Sequence, residues 1–163
     1  MGNGMSILGL SLKKATISDC ELLLSWANEP DTRRNSLNSE SISLETHTKW
    51  LTQILHDESV SLYILYSEDI PVGQIRLNCT GTQAKISYSI AREYRGRGFG
   101  SQIIRMLEAI ITAERPSLAI LVAEVKFMNV PSKKIFENNG YSIAQEDSVT
   151  QVILYSKLLG KNS

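Results

Sequence analysis

From Lys85 to Ala91 the chain alternates. Ile86, Tyr88 and Ile90 are apolar and Ser87 and Ser89 are polar, the period of a half-buried strand. Beyond a glycine-rich turn the period changes. Ile103, Ile104, Leu107, Ile110 and Ile111 recur at i, i+1, i+4, i+7 and i+8, one apolar stripe of a helix that Pro116 ends. Leu118–Val125 is apolar with little alternation, which predicts a strand buried on both faces. Val130–Asn139 reads as a short helix closed by Asn139-Gly140, and Tyr141–Ala144 and Thr150–Leu158 as the last strands.

Upstream, Ile7–Lys14 reads as a first strand. Ser18 with Glu21 has the form of a capping box and opens a helix through Leu22, Leu23, Leu24 and Trp26, which Glu29-Pro30-Asp31 ends. Thr32–Ile42 is polar and predicts no element. Ser43 caps a second helix with Leu44, Leu51, Ile54 and Leu55 on one face. Val60–Tyr66 and Val72–Cys79 flank a turn as antiparallel strands. The predicted order is β-α-α-β-β-β-α-β-α-β-β. Three consecutive strands in the middle mean a mixed sheet, an α/β (α+β) architecture and not a pure βαβ repeat.

The 163 residues carry no repeat or linker, which predicts one domain over residues 7–160 behind a flexible leader, residues 1–6. With 42% hydrophobic and 21% charged residues, the chain can build a core and is not disordered. Seventeen Lys and Arg balance seventeen Asp and Glu, which argues against general binding to nucleic acid or a membrane surface. The longest apolar run, Leu118–Ala123, is far short of the ~20 residues that span a bilayer. Cys20 and Cys79 form no CxxC and read as core thiols of a reducing compartment. His47 and His56 lack zinc-site spacing, so no metal is expected. Met1-Gly2-Asn3-Gly4-Met5-Ser6 fits a myristoylation pattern, but no basic patch follows to supply a second membrane signal. It has no apolar region of a secretory signal either, so a cytoplasmic location is expected.

The sharpest local feature is Arg95-Gly96-Arg97-Gly98-Phe99-Gly100, between a predicted strand and a predicted helix. Helix N-termini present unpaired N–H groups and the positive end of the helix dipole. Glycines let an anion approach that backbone, and Arg95 and Arg97 would add charge. This is a phosphate cradle. It is not a Walker loop, since no Gly-Lys-Ser or Gly-Lys-Thr is present, nor a dinucleotide fingerprint, since the glycines run G-x-G-x-G in mid-chain.

Asn129-Val130-Pro131-Ser132, then Phe136, Gly140 and Tyr141, spell N-x-x-S-x-x-x-F-x-x-x-G-Y. With the Arg95–Gly100 loop, this resembles the GCN5-related N-acetyltransferase superfamily over roughly Ile7 to Leu158. The resemblance implies a mixed sheet of about six to seven strands, splayed between the fourth and fifth, with about four helices. It implies acetyl-coenzyme A as the donor. Arg95, Gly96, Arg97, Gly98, Phe99, Gly100 and Ser101 would take its pyrophosphate. Ser89 and Ile90 would pair with the pantetheine arm, and Asn129, Ser132 and Phe136 would line the rest of the coenzyme site. A homodimer is common in that superfamily.

Acetyl transfer requires a base for the amine, a donor to the oxyanion and a proton for the leaving thiolate. A strand N–H near Ile90 would serve the oxyanion. Glu124, in an otherwise apolar strand, stands where related protein N-terminal acetyltransferases carry their base. Phe136 stands where such relatives often carry a tyrosine acid, so the proton must come from Tyr141, Tyr88 or Tyr94, or the thiolate leaves unassisted. Tyr141 is the favoured choice.

Trp26-Ala27-Asn28-Glu29-Pro30, Arg33, Arg34, Asn35, Ser36, Asn38, Ile42, His47 and Trp50 resemble acetyltransferases of amino-sugar nucleotides from pseudaminic- and legionaminic-type pathways, as does the Val72–Arg76 segment. That likeness implies a small-molecule amine acceptor. Arg33 or Arg34 would meet a diphosphate. Asn35, Ser36, Asn38 and His47 would read hydroxyls or a base edge, and Arg76 would line the site. The alternatives are the same chemistry on a protein N-terminus, small amine or aminoglycoside, and a non-catalytic acyl-coenzyme A-binding module.

Overall fold

The computed structural model describes residues 4–160. Eight strands form one sheet: β1 (Gly4–Ile7), β2 (Leu10–Lys14), β3 (Val60–Ser67), β4 (Ile70–Thr80), β5 (Gln83–Ile90), β6 (Ile120–Lys126), β7 (Ser142–Asp147) and β8 (Val152–Leu158). Their spatial order is β1-β2-β3-β4-β5-β6-β8-β7. Among the described residues only β5 and β6 pair in parallel. Among the described residues five α-helices accompany them: α1 (Cys20–Ala27), α2 (Pro30–Asn35), α3 (Leu44–Leu55), α4 (Phe99–Glu114) and α5 (Val130–Asn138).

The first predicted strand is a hairpin. Leu8 and Gly9 both take positive φ, 51° and 79°, and turn β1 back on β2. This makes eight strands where six to seven were expected. Counted with that hairpin as one strand, the parallel pair is the fourth and fifth. Gly4–Ile7 is strand and not leader; Met1–Asn3, with the start of the myristoylation pattern, lie outside the described residues.

The polar stretch after Trp26 also differs from expectation. Pro30 begins a helix, since its missing N–H is an orphan at the first position in any case. The Glu29 side chain caps that helix, accepting from the Asp31 and Thr32 amides at 3.2 and 3.1 Å. The capping box lies two residues earlier than expected: Asp19 Oδ2 accepts from the Thr16 amide at 2.8 Å, ahead of α1. Ser43 caps α3 as predicted, accepting from the Thr46 amide.

The register sorts side chains onto two faces. Tyr63, Leu65, Ile75, Leu77, Ile86, Leu121, Ala123, Ile153 and Tyr155 pack with Ile103, Ile104, Leu107 and Phe136 of α4 and α5 into the larger core. On the other face Leu62 and Ile64 pack with Leu23 and Leu51 of α1 and α3. That cap covers β2 and β3 and leaves the far strands of this face polar. Cys20 and Cys79 are half-buried rather than core, near Thr48 and Arg115. Among the described residues no helix is long and apolar enough to cross a membrane, and no group of His, Cys, Asp or Glu could hold a metal.

One side chain ties the cap loop down. Asn28 donates to the Ile42 carbonyl and accepts from the Ile42 amide, both at 2.7 Å, as a strand partner would. Asn28→Ala removes both bonds. It is expected to lower stability by roughly 1–3 kcal/mol in urea unfolding, with hydrogen exchange at the Ile42 amide accelerated before global unfolding.

Candidate active site

β5 and β6 pair at only three positions, Gln83–Ile120, Ala84–Leu121 and Lys85–Val122. Beyond these, β5 stays on β4 as far as Ile90 and β6 stays on β8 as far as Lys126. The sheet therefore splits between them. The Thr82 carbonyl accepts from the Ala119 and Ile120 amides, so Thr82 faces β6. Strand parity then aims the backbone N–H and C=O groups of Ile86, Tyr88 and Ile90 at the split.

The glycine loop follows the end of β5. Gly96 and Gly98 take φ of 78° and 85°, and Gly98 caps α4. A Cβ at either position would meet no protein atom within 4 Å, so the space above both is open. The Gln102 amide is the first of α4 to bond back, to the Gly98 carbonyl. Among the described residues no backbone carbonyl takes the amides from Gly96 to Ser101. Gly100 serves packing instead: its Cβ would lie 2.6 Å from Ile135 of α5. Asn139 also joins the two helices, donating to the Ser101 hydroxyl at 3.1 Å and accepting from Arg105 Nε at 2.9 Å.

The polar face of β4, β5 and β6 lies opposite α4 and α5. By register Arg76 stands beside Ser87, and Gln74 beside Ser89, to whose hydroxyl it donates at 3.0 Å. On β6, Glu124 is two residues past the last paired position and binds Lys85 at 2.5 Å. Arg76 lies under Trp50 of α3, its guanidinium 5.3 Å from the ring centroid, with Nε bonded to Asn78. His47 packs on the same ring at 5.3 Å. Burial holds the imidazole below its usual range and so neutral near pH 7. Among the described residues two buried side-chain nitrogens have no partner, His47 Nε2 and Arg33 Nε.

Residues 10–142 match the family described as "Acetyltransferase (GNAT) domain". The chain belongs to that family. No curated protein matches it. Solved structures of the same fold include an acetyltransferase from Salmonella typhimurium that modifies the N-terminal serine of ribosomal protein L7/L12. Identity to it is 15% with TM-score 0.82, covering 94% of this chain and 97% of that one. Aminoglycoside acetyltransferase AAC(6')-Ib in complex with coenzyme A has 17% identity and TM-score 0.78, over 91% and 94%. An acetyltransferase from Thermus thermophilus has 23% identity and TM-score 0.77, over 95% and 100%.

As a GNAT protein the chain is an acetyl-coenzyme A-dependent N-acetyltransferase. Its loop fits that donor, because open space and free amides lie together at the α4 N-terminus. When bound, the coenzyme supplies an acetyl group activated as a thioester. Arg97, exposed and stacked on Tyr94 at 5.5 Å, stands beside the cradle. Phe99 packs against the larger core as the first residue of α4. Asn129 caps α5 by accepting from the Ser132 amide at 3.3 Å, and Ser132 is buried.

Several expected roles are corrected. The Arg95 side chain is not a phosphate ligand. It donates to the Ile90 carbonyl at 2.9 Å and pairs with Glu29 at 2.8 Å and Asp31 at 3.2 Å, clamping α2 to the loop. Arg33 donates to the Asn38 and Glu40 carbonyls and to Ser36, and so holds the cap loop together. Arg34 pairs with Asp31 on the surface. Arg33 is therefore not free to meet a diphosphate, whereas the Arg34 side chain is 70% exposed and bonds through Nη1 alone. The Ser36 hydroxyl donates to the Thr32 carbonyl and Asn38 Oδ1 accepts from the Glu40 amide, while Asn35 is exposed. Tyr141 is not a proton donor to the thiolate. Its ring is 3% exposed and its hydroxyl donates to Glu108 at 2.6 Å. Burial and the Glu108 charge push it far above the ordinary phenol range. Sequence reasoning missed Lys85 and Glu29, whose partners are distant in the chain.

Burial alone would raise the Glu29 carboxyl, but the Arg95 hydrogen bond, the Asp31 and Thr32 amides and the Arg95 charge outweigh it and hold it at about 2. Such a group contributes stability that is full above its unfolded value near 4.5 and is lost as pH falls toward 2. Glu29→Gln is therefore expected to unfold at lower urea than the wild type at pH 7. The gap between the two should close between pH 4.5 and 2, as read by urea midpoints across that range.

Proposed function

We propose that the acceptor is an anionic primary amine, and that an amino-deoxy sugar nucleotide is its chemical form. Arg76 carries the proposal. Its guanidinium is drawn under Trp50, and among the described residues no carboxylate lies within ion-pair distance of it. Burial disfavours its charge and lowers its proton affinity. An uncompensated guanidinium of this kind gains most from an arriving phosphate or carboxylate. With Arg33 engaged in the cap loop and Arg34 exposed on the surface of α2, Arg76 takes the diphosphate role.

The row Arg76, Ser87, Glu124 lies on one face of three strands, with the split between Ser87 and Glu124. An amine at Glu124 and a phosphate near Arg76 would span it, with the sugar between them beside Trp50. Glu124 is the proposed base. Glu124 is paired with the Lys85 ammonium, and that pair must open for the carboxylate to take the amine's proton. A polycationic aminoglycoside would meet Arg76, Lys85 and Lys126 on this face and be repelled. A protein N-terminus with an acidic residue meets the same electrostatics and is the competing acceptor.

The test is thiol release from acetyl-coenzyme A with a UDP-linked 4-amino-4,6-dideoxy sugar, the free amino sugar, an acidic-start peptide and an aminoglycoside. Turnover is expected on the sugar nucleotide. Arg76→Gln should raise its KM roughly ten- to a hundredfold, the worth of one hydrogen bond to a charged group, and leave the free amino sugar unaffected. Turnover on the aminoglycoside, or an unchanged KM in Arg76→Gln, would overturn the anionic-acceptor reading.

A further inference from the structure

Resting on acetyl transfer but not on the identity of the acceptor, we propose that Tyr88, paired with Ser132, gives the leaving thiolate its proton. Tyr88 replaces the hydroxyl that Phe136 lacks, from a different element of the fold.

The tyrosines differ in what holds their protons. Tyr141 donates to Glu108 at 2.6 Å and Tyr155 to Glu137 at 2.7 Å. A carboxylate holds each of these protons. The partner of Tyr88 is a neutral hydroxyl, Ser132 Oγ, at 3.0 Å, and either atom can donate. The Tyr88 proton can therefore turn toward a new acceptor while Ser132 turns to donate.

Position is the second part. Tyr88 lies three residues past the last β5–β6 pair, so it flanks the split. Its ring packs edge-on against Phe136 at 5.8 Å, and a Cβ on Gly100 would reach it at 3.5 Å. Its hydroxyl thus lies near the N-terminal turns of both α4 and α5, whose dipoles favour the phenolate. Burial pushes the phenol up, and the Ser132 hydrogen bond works against that rise. Ser132 is the third residue of α5.

The two faces then divide the chemistry. A donor whose diphosphate rests on the α4 N-terminus approaches from the α4 and α5 side. Its acyl carbon must enter the split to be reached from the Glu124 side. The sulfur is then left on the side where Tyr88 points. Glu124 takes the proton that the amine loses as nitrogen bonds to the acetyl carbon, and passes it to solvent. Tyr88 Oη gives its proton to the sulfur, which departs with the electron pair of the broken carbon–sulfur bond. Ser132 Oγ relays a proton from water to the Tyr88 phenolate. Amine and thioester become amide and thiol, with no other reactant.

Tyr88→Phe tests this directly, because it keeps the ring and its packing and removes one oxygen. Turnover should fall roughly 10²–10⁴-fold, the worth of a placed acid, with KM for acetyl-coenzyme A within about twofold of wild type. A second readout needs no turnover. The thiol of bound coenzyme A, titrated by the ultraviolet absorbance of its thiolate, should have a higher pKa in Tyr88→Phe than in the wild type. The double variant Tyr88→Phe, Phe136→Tyr restores a hydroxyl from α5 and should recover part of the lost turnover.

Wild-type turnover in Tyr88→Phe would overturn the proposal. So would a loss that appears as weaker coenzyme binding with an unchanged thiol pKa, which marks a packing role. If the wild type acetylates no amine on the panel, the reading of the acceptor fails, while the thiol titration still decides Tyr88.

Discussion

The parallel pairing of β5 and β6 stops after three residue pairs, and the site is built on that stop. Each strand is fully held on its other side, β5 by β4 and β6 by β8. Right-handed twist rotates each half about its own axis. The halves meet at Lys85 and Val122 and part beyond. Backbone groups buried without partners are costly, so the edge left at Ile86, Tyr88 and the Ile90 N–H needs a partner, the Ile90 carbonyl being taken by Arg95. An extended amide-bearing arm is of the right kind.

The surrounding contacts hold that split open and give it two sides. Arg95 takes the Ile90 carbonyl and, through Glu29, fastens the cap helix α2 to the glycine loop. Asn139 and Gly100 hold α4 against α5 on the other side. One face then carries the coenzyme cradle and Tyr88, the other Glu124, Arg76 and Trp50. The proposed base Glu124 and the proposed acid Tyr88 thus stand on opposite faces of the sheet, which would keep their protons from exchanging directly.

Much of this was legible in the sequence because it rests on local rules. Strand alternation at Ile86–Ile90, the apolar stripe of α4, and the glycine turn between them each follow from neighbouring residues. Helix α2 was hidden because Glu29-Pro30 reads as a stop, although proline is equally at home as a first residue and Glu29 supplies the cap. The roles given to Tyr141, Arg33 and Arg95 failed for another reason. Their side chains suit the chemistry, but Glu108, the Asn38 and Glu40 carbonyls, and Glu29 claim them first. These partners sit across the fold or around a loop whose shape no spacing reveals. Tyr88 stands among the candidate proton donors, but its alternation makes it look like a core residue of β5, and Tyr141 is favoured over it.

Backbone hydrogen exchange with and without acetyl-coenzyme A is the most direct test of the split as the place of transfer. The amides of Tyr88 and Ile90, together with those from Gly96 to Ser101, should slow markedly on addition of the donor, while the β3–β4 amides stay unchanged. Slowing confined to the glycine loop, with Tyr88 and Ile90 unaffected, would contradict the account by showing that the arm does not enter between β5 and β6.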